Sequence, residues 1–331
     1  MTSPRPTGAI AQTRAPTISV VVCAYTMARV ALLDRALWSV RSQTRPALET
    51  LLVVDHCPEL LERARNLVGG VRVCANTEGK GLSGARNTGV AIARGDVVAF
   101  LDDDAAAAPD WLEWLVRPYD DPQVVGVGGH VIAEWEGGRP AWFPQEFNWV
   151  VGCSYVGQPT GVSAVRNPIG ANMSFRRDAM VAVGGFSAEV GRVGARPTGC
   201  EETELSIRIA RRDPTSLIVL EPRAVVGHHV PRDRSRWGYF WRRCWAEGLS
   251  KASVSRLTDP RSALSSERSY VFQTLPRGAA CGLADAMRRG DAGGPARALA
   301  IGAGLTVTAS GYVIGKGVGG RAGRPPRTSH R

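Results

Sequence analysis

The chain of 331 residues is almost without lysine: only three of its 41 basic residues are Lys. Its seven cysteines (Cys23, Cys57, Cys74, Cys153, Cys200, Cys244 and Cys281) contain no C-x-x-C pair. That removes zinc-ribbon and thioredoxin-type readings. An odd, scattered set of thiols fits a reduced, cytosolic compartment. No repeat of fixed length runs along the sequence, so solenoids and propellers are excluded. The N-terminus has Arg5 and Arg14 but no apolar stretch long enough for a signal peptide, and residues 1–16 read as a disordered lead-in. No G-x-G-x-x-G follows the first candidate strand, as a dinucleotide-binding dehydrogenase would need. Residues 24–29 are also not the Gly- and Arg/Lys-rich loop of a nucleotidyltransferase.

The sequence does have 44% apolar residues, enough for a sizeable core, and an ordinary 21% charged fraction. Its formal charge of +11 is unevenly placed. Lys251 to Arg331 holds thirteen Lys/Arg and four Asp/Glu, a net of +9, leaving +2 for the first 250 residues. A nearly neutral main body argues against nucleic acid as a partner. The basic end points to something anionic: a membrane surface, a lipid phosphate or an acidic partner. A solvated arginine-rich tail is the plain alternative.

From Thr17 onward the pattern is that of alternating strands and helices. Ile18 to Cys23, Glu49 to Asp55, Val71 to Cys74 and Asp96 to Leu101 are short apolar runs, the mark of strands buried on both faces. Residues 28–43, 59–67 and 83–94 carry helical spacing between them. This rhythm predicts a doubly wound, mainly parallel α/β layer. Further on, a helix is expected after Pro109, a strand over 124–135 and a long loop over 137–166. Helices are expected at 175–184 and 201–212, a strand at 217–226, and a Trp/Arg-rich helix from 235 to 251. Ligands in such folds bind beyond the carboxyl ends of the strands. Ala24-Tyr25, Asp55 and Asp102-Asp103-Asp104 all lie at those ends.

Asp102-Asp103-Asp104 leaves a buried strand, where alternate residues face the same way, so Asp102 and Asp104 can share one site while Asp103 points elsewhere. Like charges this close in a half-buried cleft call for a cation. Oxygen ligands suit Mg²⁺ or Mn²⁺ together with substrate phosphates. An acidic turn capping the next helix would explain one Asp but hardly three.

The ordered set of motifs from Thr17 to Lys251 resembles the family 2 glycosyltransferases, the inverting group with a GT-A fold. The motifs are the strand ending at Tyr25, Asp55, the Gly-Leu-Ser-Gly-Ala-Arg-Asn-Thr-Gly segment (residues 81–89), the D-x-D of Asp102 and Asp104, and Glu201-Glu202. The resemblance implies a nucleotide-diphosphate sugar donor contacted by Ala24, Tyr25, Asp55, Arg86 and Asp103, with Asn172 lining the sugar pocket. It implies a metal held by Asp102, Asp104 and His228. It also implies Glu202 as the base that deprotonates an acceptor hydroxyl, with Glu201 in the same motif and Glu204 as a supporting or acceptor-binding carboxylate. Arg86, early in a helix after a Gly-rich turn, is placed to favour an anion. Thr26, His56, Cys200 and Glu202 depart from the family's common residues; the His56 change bears on the base and ribose contacts. Trp142, Phe143 and Trp149 read as core rather than as sugar-stacking faces. An inactive sugar-binding protein on a transferase fold remains the rival reading, which intact Asp102, Asp104 and Glu202 oppose.

Residues 298–315 form an uncharged stretch of eighteen, diluted by Gly, Thr and Ser. Its length is marginal for a bilayer span, so interfacial or re-entrant association is expected rather than a span. Pro276 is expected to interrupt any single helix over 267–289. The division expected is a donor-binding half (17–127), an acceptor-binding and catalytic half (128–252), a helical membrane-associated region (253–315) and a basic disordered tail (316–331). That layout suits a cytoplasmic enzyme at the inner face of the cell membrane, acting on a lipid-linked or cell-envelope acceptor.

Overall fold

The computed structural model describes residues 15–65, 69–187, 199–257 and 267–322; the lead-in before residue 15 and the end beyond 322 lie outside these. Ile18–Ala24 (β1) is paired in parallel with Glu49–Val54 (β2) on one side and Val97–Asp102 (β4) on the other. Val71–Ala75 (β3) adds to β2, again in parallel. Because strand side chains alternate, β1 feeds two cores. Val20 and Val22 pack with Leu33 and Leu37 of helix α1 (Val30–Arg41) and Leu60 of α2 (Pro58–Arg65). Val21 faces the opposite layer, with Ala85 and Val90 of α3 (Leu82–Ile92).

Beyond β4 the sheet turns mixed. Asp103 and Asp104 make a turn into Ala105–Ala107 (β5), which the sequence did not signal, and α4 (Trp111–Val116) follows. Val124–Trp135 (β6), Ser163–Ala164 (β7), Asn172–Arg176 (β8) and Leu217–Val230 (β9) complete one sheet in the order β3-β2-β1-β4-β8-β6-β9-β5, with β7 on β9. The helix expected at 175–184 is present in shortened form, and strand β8, which was not expected, takes its first two residues. Residues 172–176 instead pair antiparallel with β4, and β6 pairs along their other edge. Met173 and Phe175 enter one core, while the Ser174 hydroxyl shares a 2.8 Å hydrogen bond with that of Tyr119. Only Arg177–Ala182 (α5) is helical there. Five residues with one alternation carry too little periodicity to outweigh the helix that follows.

Glu201–Arg212 (α6) lies against the α3 face through Leu205 and Ile209. Strand β9 continues past the expected end at 226 to Val230, after a register shift opposite Gly129 and His130. In its second half it pairs with β5, placing His228 opposite Ala105.

The C-terminal region is helical: α7 (Trp237–Leu257), a turn at Glu267–Ser269, a π-helical turn at Tyr270–Thr274, α8 (Leu275–Arg289) and α9 (Gly293–Ala322). Pro276 does not break the helix, contrary to expectation. The π turn ahead of it, closed by Leu275 N–H donating to Tyr270 O, widens the backbone where the proline ring would otherwise meet a carbonyl. Helix α9 runs parallel to α7 at close range. Contacts climb in step from Gly304 on Phe240, through Gly311 on Trp245 and Gly248, to Gly315 on Ala252. A Cβ on Gly248 would sit 2.2 Å from Thr308 O, so only glycine allows this approach. By length and composition Gly293–Gly317 could cross a bilayer, with 28% of its most apolar window buried. The helix continues to Ala322, into the segment expected as a tail.

Candidate active site

The carboxyl ends of β1, β2 and β4 open onto a cavity of about 950 Å³, roofed by α7, α8, α9 and residues 147–170. One side is acidic. A carboxylate oxygen each from Asp102 and Asp104 and a ring nitrogen of His228 lie within 4.8 Å of one another. The fold brings them together in two steps: the turn after β4 carries both aspartates, and β5 then hydrogen-bonds to the stretch of β9 that holds His228. The His229 N–H donates to Asp104 O at 2.9 Å, which fixes that register.

Asp102 is half-buried, whereas Asp103 and Asp104 are buried. Arg29 reaches both of the latter at 3.0 Å, and Arg234 lies 3.7 Å from Asp104. Burial and the neighbouring Asp104 push Asp103 up to about 7. Burial would raise Asp104 too, but the hydrogen bond from His228 and the charge of Arg29 hold it well below the usual carboxylate range. Burial opposes a charged His228, yet its 3.2 Å contact with Asp104 lifts it to about 10. A divalent ion held here would require the neutral imidazole, so its binding would displace a proton from His228. The donor set of two carboxylates and one imidazole fits Mn²⁺ or Mg²⁺. Among the described residues, buried Asp103 Oδ2 has no hydrogen-bond partner.

Arg86 sits beneath this cluster, 2% exposed. It donates to Glu201 Oε1 (3.1 Å), Asp102 Oδ1 (3.4 Å) and Gly170 O (3.2 Å). Burial would lower its affinity for a proton, but Glu201 and Asp102 more than offset that. It is therefore the strut between the D-x-D turn and the start of α6. Glu202 lines the cavity beside it, raised to about 8 by burial and by the charge of Glu201. That is a base poised near neutrality. Cys200, at the N-cap, adopts a left-handed φ of 74°, turning the chain so that Glu201 and Glu202 enter the first turn of α6.

Ala24, Tyr25 and Asp55 line the cavity as expected from their strand ends. Tyr25 is exposed and its ring lies 5.5 Å from the Arg29 guanidinium. Asp55 accepts from Asn76 Nδ2 (2.7 Å) and the Gly81 N–H (3.0 Å), so it also ties the 76–81 turn to β2. His56 Nδ1 lies 2.9 Å from the same carboxylate.

Two sequence assignments need correction. Asn172 does not line the cavity: fully buried, it accepts from Trp111 Nε1 (2.8 Å) and donates to the carbonyls of His130 (3.0 Å) and Ala224 (2.8 Å). It cross-links β8, β6, β9 and α4 from behind the site. Glu204 is buried against Arg208, with Nη2 donating to it at 2.7 Å, and is not among the residues that line the cavity. Trp142 and Phe143 are packed aromatics, Trp142 stacking on Trp237 at 4.0 Å. Trp149 lines the cavity and donates to Tyr270 Oη at 3.0 Å.

Sequence reasoning missed Arg29, which no motif spacing marks. It also missed the cavity face of α7: Tyr239, Arg243, Glu247 and Lys251. Their spacing of four residues was the available signal.

Comparison with known proteins agrees with this geometry. Residues 19–184 match the model of glycosyl transferase family 2. A glucosyl-dolichyl phosphate glucuronosyltransferase of Haloferax volcanii is 37% identical over 244 residues, 72% of this chain and 78% of that protein. The succinoglycan biosynthesis protein ExoM of Rhizobium meliloti is 27% identical over 240 residues, 70% of this chain and 72% of its own length. Among solved structures, mannosyltransferase PcManGT from Pyrobaculum calidifontis, in complex with GDP-Man and Mn²⁺, aligns with a TM-score of 0.59 at 22% identity. That alignment covers 92% of this chain and 87% of the other. Fold and site together define a glycosyltransferase with a GT-A fold. The chain belongs to glycosyl transferase family 2.

Proposed function

We propose that this enzyme transfers a sugar, with inversion, from a nucleotide-diphosphate donor to a hydroxyl of a lipid-linked acceptor, at a site holding Mn²⁺ or Mg²⁺. The observation that carries the reading is that the Asp102–Asp104–His228 cluster and Glu202 face one cavity. When bound, the metal neutralises charge on the donor's diphosphate as it leaves. Arg29 and Arg234 hold Asp104 in place, and Arg86 keeps the D-x-D turn and α6 in register. The acceptor oxygen attacks the anomeric carbon as the bond to the diphosphate breaks, and Glu202 takes the hydroxyl proton. Tyr25 and Asp55, at the rim near the 76–81 turn, are assigned to the nucleoside.

A lipid-linked acceptor is supported by the name of the Haloferax relative and by the apolar C-terminal helices that wall the cavity. Those helices also support contact with an anionic membrane, which the proposal sets at the cytoplasmic face. Phe272 and Met287 are 75% and 82% exposed, and Arg277, Arg288 and Arg289 of the same region are exposed too.

The test is a donor screen. Isothermal titration with UDP-, GDP- and dTDP-sugars, each with Mn²⁺, Mg²⁺ or EDTA, should give metal-dependent binding to one nucleotide class, lost in Asp104→Ala. Absence of binding to all of them with either metal would overturn the reading.

A further inference from the structure

His228 turns its two ring nitrogens to different partners. Nε2 lies 3.2 Å from Asp104 Oδ1, and Nδ1 lies 3.6 Å from Cys153 Sγ. Both side chains are buried, His228 at 3% exposure and Cys153 at 0%. An imidazole ligates a metal only through a nitrogen that carries no proton. Which nitrogen that is depends on the hydrogen bond made by the other. The partner of Nδ1 therefore bears on whether Nε2 can reach a metal.

Main-chain pairing puts Cys153 in this place. Gly152, with a left-handed φ of 79°, ends the Gln145–Val151 turn. Ser154 then joins β6: its N–H donates to Val131 O and its hydroxyl accepts from the Val131 N–H, both at 2.9 Å. Between these two anchors the Cys153 N–H donates to Asn148 O at 3.1 Å. The turn lies along the imidazole edge, since a Cβ on Gly152 would stand 3.6 Å from His228 Cε1. On the strand side, His228 is held opposite Ala105 of β5 and Ala133 of β6.

A thiol has one proton, and Cys153 donates it to Val151 O at 3.7 Å. The sulfur is left as a weak acceptor, so its contact with Nδ1 needs a proton on Nδ1. A neutral His228 then keeps the lone pair of Nε2 on the side of Asp104. Were the thiol to donate to Nδ1 instead, the ring proton of the neutral imidazole would sit on Nε2 and bar it from a metal.

We propose that Cys153 is a positioning residue of the metal site: its sulfur accepts a hydrogen bond from His228 Nδ1–H and so commits Nε2 to the cation. This rests on the reading of Asp102, Asp104 and His228 as metal ligands, and it adds what sets the histidine for that task.

Titration of the full chain with Mn²⁺ alone, followed by loss of the free-ion electron paramagnetic resonance signal, tests it. Cys153→Ser keeps one proton and an acceptor, whereas Cys153→Val fills about the same space with neither. Cys153→Val should weaken Mn²⁺ binding by about 10–100-fold, the usual effect of losing such an outer partner, and Cys153→Ser should stay close to wild type. At saturating Mn²⁺, electron spin echo envelope modulation should show the nitrogen coupling of a bound imidazole in wild type and Cys153→Ser. That coupling should be lost in Cys153→Val, and its loss in His228→Gln assigns it. Thermal unfolding before metal is added reports whether each variant is folded, and Cys153→Ala takes the place of Cys153→Val should the latter misfold. Equal loss in the serine and valine variants, or a larger loss in serine, marks a packing role and overturns the proposal. Wild-type affinity or a surviving imidazole coupling in Cys153→Val overturns it too, with the metal site left standing. Wild-type protein that binds no Mn²⁺, or binds it without imidazole coupling, fails the ligand reading itself and the proposal with it.

Discussion

The guanidinium of Arg86 bridges Glu201 and Asp102, at 3.1 and 3.4 Å, and so couples the last residue of β4 to the first residue of α6. The bridge is buried, and Glu201 has one carboxylate oxygen with no other partner. Arg86→Met would leave Glu201 as an uncompensated buried charge, a change that costs on the order of 3–5 kcal/mol. A urea titration should show that loss. Arg86→Met combined with Glu201→Gln should recover part of it, because the stranded charge is gone. Equal destabilisation by the single and double variants would mean that the bridge does not carry the coupling.

Glu202 should set the pH dependence of transfer. As a base it must be ionised, and burial with the charge of Glu201 raises it to about 8. Turnover should therefore increase with pH through about 8 and fall about tenfold per unit below it. Glu202→Gln should lower kcat by about 10²–10⁴-fold, leave the Kd for the metal–nucleotide unchanged, and flatten that rising limb. A rising limb that persists in Glu202→Gln would assign the proton to another group.

Asn172 distinguishes scaffold from pocket. Its amide satisfies Trp111 Nε1 and two main-chain carbonyls in a dry interior. Asn172→Ala should cost at least about 2 kcal/mol, since each orphaned buried group costs about 1–3 kcal/mol. The folded fraction should keep its donor KM. A raised donor KM with unchanged stability would return Asn172 to the sugar pocket.

How far the sequence could be read follows from the range of the interactions involved. β1, β2 and β4 are legible because burial on both faces demands unbroken apolar runs, and the D-x-D because three adjacent carboxylates are costly without a cation. His228 joins the site only through the β5–β9 pairing, which local pattern does not encode; a family resemblance supplied it. The family resemblance drew Asn172 into the sugar pocket, and its place in the Glu201–Glu202 motif drew in Glu204. Asn172 sits within the sheet, in β8, and Glu204 is turned along α6 toward Arg208. The cavity face of α7 was hidden because its polar residues enter the cavity wall only once α8 and α9 pack beside them, which local pattern does not encode.

The α7–α9 contact is sensitive to a single side chain. A Cβ on Gly311 would stand 2.6 Å from Trp245 O, and main chain cannot yield as a flexible side chain can. Gly311→Leu should force the helices apart at a cost of about 1–3 kcal/mol. The expected outcome is faster proteolysis within α9, while metal-dependent nucleotide binding, which depends on the sheet ends, is kept. Wild-type resistance to protease in Gly311→Leu would mean that the helices do not approach this closely.

Membrane contact can be separated from acceptor binding by where the charges lie. Arg277, Arg288 and Arg289 are exposed on α8, as are Phe272 on the π turn before it and Met287 on α8, and none of them lines the cavity. Cosedimentation with vesicles should be strong when phosphatidylserine is present and weak with phosphatidylcholine alone. It should also fall as salt is raised, because surface charges are screened beyond about 8–10 Å. Removing two charges in Arg288→Gln/Arg289→Gln should weaken binding to anionic vesicles by about 2 kcal/mol, at about 1 kcal/mol per basic residue near the surface. Phe272→Ser/Met287→Ser should weaken binding to both vesicle types, since burial of apolar area does not depend on headgroup charge. If neither pair of substitutions alters cosedimentation, α8 does not face the bilayer, and an anionic surface would have to be met by another part of the basic C-terminal region.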